Sequence, residues 1–450
     1  MKNNQIDIQE SDVCVVYPSP EKDKNARLGY SVEALSLATI IQSANKHLKY
    51  YDFSLSNYDN ILEHKDFYAG NQNQKKVVFL FVDSVPLHRS SNVEHAIRIS
   101  KSFKDISPHS VVIACGPWCM LTQESFPYAD ITFYNEPEYD FRQLCKGVIP
   151  VPSLSKTPRL LHDLTQLPIP SYNLLPGKEY HDVQNALDYS AVIQTTRGCR
   201  NGCTFCPRQS WNLRQVRHRP LKSVLDEIVI LKEKGIQNIW IDDDNMGADS
   251  SWSIALFSSI AEINKEHQLK FFISCEVNVP KSFFIMAKNA GVQIVSFGIE
   301  SGSEKVLTRI RKPSNIQLIS SAVHNANHAG LFTVGNFILG LPGETLDDLE
   351  LTKELMLNLP LDEVNIKILS YVRGAPLWDM AIVQNALLAS SPCFFASKET
   401  GTSAFKFEEL VQKQLAFKEM FQKNPARITR LRAKMQVLGY PYAVHGNSEK

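Results

Sequence analysis

Residues 195–208 read Thr-Thr-Arg-Gly-Cys-Arg-Asn-Gly-Cys-Thr-Phe-Cys-Pro-Arg, and they continue a β-rich apolar run at Ala191–Thr195. Three cysteines, Cys199, Cys203 and Cys206, stand there in a C-x3-C-x2-C spacing, with glycines at 198 and 202. Thiolates are the ligands iron–sulfur clusters require, and small glycines let a short loop wrap a cubane. Three thiolates leave one iron of a 4Fe-4S cluster open, a seat for a small chelating molecule. Zinc is the rival for cysteines at short spacing, but structural zinc sites are closed by a fourth ligand. His218 is the candidate nearby, at a spacing unlike that of zinc sites.

Outward from this loop the chain alternates short β-rich runs with helical stretches, with strands expected at Ala191–Thr195, Asn238–Asp242, Lys270–Ser274, Ile294–Gly298, Thr333–Leu339 and Glu363–Leu369. Pro220 opens the helix after the first strand and Gly235 closes it; Gly291 and Gly330 close later ones. Six such units predict an open, partial (β/α)6 barrel of TIM type over 189–384. Residues 1–149 alternate as well, with strands expected at Val13–Tyr17, Tyr50–Leu55, Lys76–Phe81, Val111–Cys115 and Asp130–Phe133. Helical periodicity at Val32–Ala44 and Asn92–Phe103 makes this an α/β, Rossmann-like, doubly wound parallel sheet. Ligands of such sheets sit at the carboxyl ends of the strands, where Pro18, Ser84 and Gly116 fall. The Pro-, Ser- and Leu-rich stretch 150–188 is a connector expected to pack on both neighbours. Residues 385–450 form a C-terminal helical tail, whose Arg427, Arg430, Arg432 and Lys434 read as a solvated helix face.

Charge excludes several classes. The 48 Lys and Arg nearly cancel the 47 Asp and Glu, so no bulk field points to nucleic acid or an anionic membrane. The polar, acidic start lacks the pattern of a signal peptide and no apolar run approaches the ~20 residues of a membrane span, which reads as cytoplasmic. Nine cysteines in such a chain argue against a disulfide framework. Cys115 and Cys119 are spaced C-x3-C, unlike a C-x2-C redox pair, and His324 and His328 share a helix face without a Glu after the first.

The cysteine spacing, with the aromatic Phe205 before the last cysteine, resembles the signature of the radical S-adenosylmethionine (SAM) superfamily. The resemblance implies that Cys199, Cys203 and Cys206 hold a 4Fe-4S cluster whose open iron binds SAM. The reduced cluster then cleaves SAM to a 5'-deoxyadenosyl radical, and Phe205 lies near the adenine. It places Asp243, Asp244 and Asn245, at the end of the second strand, against SAM or its amino group. Acidic caps of the next helix are the alternative. The segment VSFGIESGSEKVL resembles the ribose-contacting segment, which assigns Glu300 to the ribose hydroxyls with Ser301 beside it. GNFILGLPGET puts Gly335 beside the adenosine, and Tyr371 with Gly374 and Pro376 partly matches a turn of related enzymes. Arg373 departs from that turn and points to this chain's own substrate; Glu276 stands where many relatives have arginine, either to bind a substrate amine or to form an internal ion pair.

Upstream, VVYPSP, RLGYSVEALSLATII, FVDSV, VIACGPW and ITFYNEPEYDF follow the order found in radical SAM enzymes with a cobalamin-binding domain, the class B methylase-like subgroup. If cobalamin binds, Gly29, Tyr30, Ser84, Gly116 and Pro117 lie on the loops that line it. No D-x-H-x-x-G segment supplies a histidine to the cobalt. The resemblance implies cobalamin-dependent methyl transfer to an unactivated carbon or phosphorus centre of a small-molecule or peptide substrate. An electron donor such as flavodoxin or ferredoxin is implied too, and nucleic acid is not. Other readings are a non-methylating rearrangement, cyclisation or decarboxylation, a methylthiotransferase, and an inactive binding module. Cys14, Cys115, Cys119 and Cys145 show no second-cluster pattern.

Overall fold

The computed structural model describes residues 6, 8–18, 30–53, 65–68, 75–83, 92–153, 157–175, 191–208, 214–266, 268–390 and 393–438. The chain falls into two compact units, one of residues 1–200, 206–244 and 372–379, the other of 201–205, 245–371 and 380–450.

The first unit opens with β1 (Asp12–Tyr17), α1 (Val32–Ala44), β2 (Lys49–Asp52), α2 (Lys65–Tyr68), β3 (Lys76–Phe81) and α3 (Val93–Ile106). It continues with β4 (Val111–Cys115), α4 (Pro117–Thr122), β5 (Ile131–Thr132) and α5 (Pro137–Cys145). The strands pair in parallel in the order β2-β1-β3-β4-β5, the doubly wound sheet expected from the alternation. Period-two alternation divides its side chains between two covered faces. Val15, Phe79 and Ile113 pack with Ala34, Leu37 and Ile41 of α1 and Phe141 of α5. Val16, Val78, Leu80 and Val112 pack with Ala96, Ile99 and Phe103 of α3. Burying each such side chain stabilises by ~1.5–3 kcal/mol. The strand order reverses between β1 and β3, and there Asn92, the residue before α3, is fully buried. Its amide accepts from the Asp83 N–H (2.8 Å) and donates to the Pro18 and Phe81 carbonyls (3.2 and 3.3 Å).

The same unit holds β6 (Ala191–Ile193) beside β9 (Asn238–Ile241) in parallel, with α6 (Leu221–Glu233) between them in sequence. A short antiparallel pair, β7 (Thr196–Arg197) with β8 (Arg217–His218), was not expected. The connector packs as anticipated: Leu161, Leu164 and Leu167 cluster with Ile40 of α1, and the Tyr172 hydroxyl bonds Glu227 of α6.

The second unit carries the other four expected strands, β10 (Lys270–Cys275), β11 (Val292–Glu300), β12 (Phe332–Leu339) and β13 (Glu363–Ile368), parallel in that order. Between them lie α7 (Ser250–Ile263), α8 (Lys281–Ala290), α9 (Glu304–Arg309), α10 (Ile316–His328) and α11 (Leu346–Asn358). After β14 (Ser370–Val372), α12 (Pro376–Gln384) and β15 (Cys393–Phe395), the tail forms α13 (Phe407–Gln422) and α14 (Pro425–Leu438).

The basic tail residues are not a solvated face. Arg427 is buried, donating from Nε to the Asp362 carbonyl (2.8 Å) and from Nη2 to Glu363 (3.1 Å). Arg430 reaches the Leu361 carbonyl (2.8 Å) and Lys434 reaches Asp362 (2.5 Å). Leu431 packs on Ile294, Phe332 and Val334 near the amino ends of β11 and β12. Three cations thus bind the loop before β13; Arg432 remains exposed.

Candidate active site

The cluster loop follows β7 and is fixed at its flanks by one carboxylate. Asp244, just beyond β9, accepts the Gly198 N–H (2.7 Å) and pairs with Arg208, so both ends of the cysteine stretch meet the same side chain. Gly198 sits at φ +105°, and a Cβ there would lie 1.9 Å from the Gln215 carbonyl oxygen, so no other residue fits. Within the loop the Thr204 N–H donates to the Ile310 carbonyl (2.9 Å). Cys203 is buried; Cys199 and Cys206 are half-buried.

Burial pushes Cys14 up to about 12 and raises Cys115, Cys119 and Cys275 as well, so these stay protonated in apolar surroundings. Cys115 and Cys119 are not paired: Cys115 packs on one face of the N-terminal sheet and Cys119 in the apolar cluster on the other. Among the described residues no three His, Cys, Asp or Glu side chains converge on a position for one ion. The fit to a multi-iron cluster rests on donor chemistry: three neighbouring cysteines on a glycine-bearing loop whose flanks are tied down.

Asp243 is buried and takes four donors: the Thr195 N–H (2.6 Å) and hydroxyl (2.5 Å), and the Thr196 N–H (3.0 Å) and hydroxyl (2.8 Å). Desolvation raises its pKa against those bonds. It fixes the turn from β6 to β7. The Asn245 Oδ1 accepts from the Gly247 N–H (3.1 Å) and the Glu276 N–H (2.9 Å), and the Glu276 carboxylate accepts from Asn201 Nδ2 (3.0 Å) of the cluster loop.

Glu300 ends β11 at φ +70°, uncommon for a side-chain-bearing residue, where the register with β12 shifts. The Lys312 ammonium donates to its Oε1 at 2.9 Å, and both side chains are 9% exposed. Lys312 was not singled out from the sequence; its lone signal there is a basic residue twelve positions after the glutamate. On the same face of these strands, Asn336 Nδ2 donates to Ser296 (2.7 Å), and Asn365 Nδ2 to Asn336 Oδ1 (3.1 Å). Lys367 follows Asn365 on that face, its pKa lowered by burial against the opposing pull of Glu300. Ser301 instead pairs with Thr352 of α11 (3.2 Å). The open side of Gly335 meets Leu361 and Phe337, so Asn336 rather than Gly335 presents a side chain to the Ser296 face.

Tyr371 stacks on Phe394 (centroids 5.0 Å apart) and donates to the Thr402 carbonyl (3.3 Å); burial pushes its phenol up to about 12. Phe205 is half-buried. The Tyr30 hydroxyl donates to the Val192 carbonyl (2.6 Å) and accepts its N–H (3.1 Å), tying the start of α1 to β6. Gly116 and Pro117 link β4 to α4, where a Cβ on Gly116 would press on the Val82 carbonyl (2.8 Å). Gly29 and Ser84 lie outside the described residues. Arg373 pairs with Glu124, and His324 and His328 are exposed on α10.

Residues 193–356 match the radical SAM superfamily. The chain carries a radical SAM domain. A domain of this kind works with a 4Fe-4S cluster and SAM, and the chain is an enzyme of that type. Over 321 residues the chain is 29% identical to an uncharacterized methyltransferase of Pyrococcus horikoshii, covering 66% of this chain and 69% of the relative. It is 23% identical over 354 residues to the tRNA-2-methylthio-N(6)-dimethylallyladenosine synthase of Vibrio cholerae, covering 74% and 71%. Its fold is that of the radical SAM methyltransferase TsrM of Kitasatospora setae, solved with cobalamin and a [4Fe-4S] cluster, at a TM-score of 0.69 and 15% identity over 84% of this chain and 78% of that one. No described helix is long and apolar enough to cross a membrane.

Proposed function

We propose that this enzyme performs cobalamin-dependent methyl transfer to an unactivated carbon or phosphorus centre of a small-molecule or peptide substrate. The observation that carries the reading is the presence in one chain of two parts. One is a radical SAM domain with its cysteine loop fixed by Asp244; the other is a doubly wound sheet in the 2-1-3-4-5 order. When bound, the cluster and SAM supply radical chemistry and cobalamin carries a methyl group; the protein supplies binding and orientation.

Cys199, Cys203 and Cys206 hold the cluster. Phe205, Asp243, Asp244, Asn245, Gly335 and Tyr371 are assigned by the resemblance to the SAM site. Glu300, with one oxygen on Lys312, offers its remaining acceptor capacity to ribose hydroxyls, with Ser301 behind it. Gly29, Tyr30, Ser84, Gly116 and Pro117 are the residues assigned to cobalamin by the resemblance, Gly29 and Ser84 lying outside the described residues. The functional division is 1–149, 150–188, 189–384 and 385–450. A flavodoxin- or ferredoxin-like protein delivers electrons, and the location is cytoplasmic.

The rival with a relative behind it is methylthio transfer. Against it, the thiols of the described N-terminal residues are not gathered: Cys115 packs on one face of the sheet, Cys14 and Cys119 on the other, and Cys145 is exposed on α5. The test is anaerobic reconstitution with iron, sulfide and hydroxocobalamin, then analysis of SAM products after dithionite reduction. Bound cobalamin with both 5'-deoxyadenosine and S-adenosylhomocysteine supports methyl transfer. A cluster with 5'-deoxyadenosine alone and no cobalamin moves the assignment to a non-methylating radical reaction.

A further inference from the structure

Four charged side chains are buried together directly before the cluster loop. Arg197 and Arg217 stand opposite each other across the β7–β8 pair, and Glu136 and Glu138 come from the first turn of α5 and the residue capping it. Arg217 grips Glu136 through two bonds of 2.8 Å, and its Nη1 also donates to the Leu161 carbonyl (2.8 Å). Arg197 donates from Nη2 to Glu138 (2.7 Å) and from Nε to Gln194 (2.8 Å), and its Nη1 lies 3.6 Å from Glu136. Gln194 in turn donates to Glu33 (3.3 Å), in the first turn of α1.

Stability does not account for this arrangement. Two arginines facing each other across a strand pair repel, and burying four charges costs desolvation that pairing rarely more than offsets; apolar residues of the same volume often do as well. Oε2 of Glu138 is buried and accepts no hydrogen bond among the described residues, a further cost. What the network supplies is geometry. A planar guanidinium gripped on three sides has one position, and Gly198 and Cys199 follow it immediately in the chain.

We propose that Arg197 is a positioning residue: held by Glu138, Glu136 and Gln194, it fixes the Cys199 end of the cluster loop and so governs how productively SAM is cleaved. The inference rests on the radical SAM reading. It also ties the loop to the amino ends of α1 and α5, beside the carboxyl edge of the N-terminal sheet.

Two variants of the full chain, reconstituted anaerobically, test it. Glu138→Leu with Arg197→Met removes both charges while keeping bulk, and Arg197→Lys keeps the charge without the fork. Readouts are melting temperature, iron content, the electron paramagnetic resonance spectrum of the reduced cluster with and without SAM, and 5'-deoxyadenosine formed per intact cluster. Expected are wild-type melting, a weakened spectral response to SAM, and a rate per cluster lower by about 10- to 100-fold in both variants. Wild-type rates per cluster and an unchanged response to SAM would overturn the assignment, whatever the melting temperature. A wild-type enzyme that forms no 5'-deoxyadenosine would instead sink the proposed function.

Discussion

The N-terminal sheet and the β10–β13 sheet are both parallel, yet they use their faces differently. In the first, both faces are apolar and covered: Val15 and Phe79 on one, Val16 and Val78 on the other. Chemistry there is confined to the strand ends. In the second, one face is apolar only near the amino ends of the strands, where Phe272, Ile294, Phe332 and Val334 meet Leu431. Toward the carboxyl ends that face turns polar, with Ser296, Asn336, Asn365 and the Glu300–Lys312 pair. A sheet buried on both sides can present a ligand only with loops, whereas a sheet with a polar inner face can present it with strands.

The largest effect expected breaks the second region at its cluster loop. Changing Cys199, Cys203 and Cys206 together to alanine abolishes iron binding and 5'-deoxyadenosine formation while leaving the fold intact; iron analysis and product chromatography check it. Next comes the apolar region. Phe79→Ala opens a cavity between the sheet and its aromatic neighbours Phe133 and Phe141, costing ~3–5 kcal/mol in denaturant unfolding. No comparable loss is expected from Asn336→Leu, where a polar face becomes apolar without a cavity.

A pH experiment sharpens the contrast. Burial pushes the Glu344 carboxyl, beyond β12, up to about 8, with the Gly340 N–H on one oxygen and the other buried without a partner among the described residues. A carboxyl with a raised folded pKa keeps a proton that the unfolded chain loses near 4.5. Folding stability from this group is therefore full below about pH 4.5 and falls as pH rises toward 8. Glu344→Gln is expected to flatten that decline in melting temperature between pH 5 and pH 8. An unchanged slope would place the titration elsewhere.

Glu300→Ala should weaken SAM binding by about 10-fold while sparing iron content, the scale of one lost charge-assisted bond. Lys312→Met should act in the same direction, because it leaves the buried Glu300 carboxylate without its cation. Equilibrium dialysis with SAM reads both. Unmoved affinity in either variant would detach this pair from the ribose.

How far the sequence could be read follows from what carries a local signal. Every expected strand has a counterpart among the described residues, the end of the one expected at Tyr50–Leu55 lying outside them, and α1 spans Val32–Ala44 as its periodicity indicates, because apolar period and glycine or proline punctuation are local. The cysteine loop is legible for the same reason. The β7–β8 pair is not, since two-residue strands have no period. The Arg197–Glu138 contact joins residues 59 apart, and nothing near either marks the other. Charge near the chain end misleads in the opposite direction: Arg427 and Lys434 look solvated on a helix, but their partners Glu363, which opens β13, and Asp362, just before it, lie 64 and 72 residues earlier.

Arg373 offers the smallest effect and a clean discrimination. As a departure from the family turn it invited a substrate role, and the structure pairs it with Glu124, both side chains partly exposed. A surface pair of this kind contributes ~0.2–1 kcal/mol. If that pairing is its role, Arg373→Met lowers stability by no more than that amount, and Glu124→Gln does the same. The double variant then loses no more than either single one, because each removes the same interaction. Turnover per cluster stays at the wild-type value in all three. Should Arg373→Met reduce turnover while Glu124→Gln does not, the guanidinium has a partner besides Glu124, and the substrate is the one to test first.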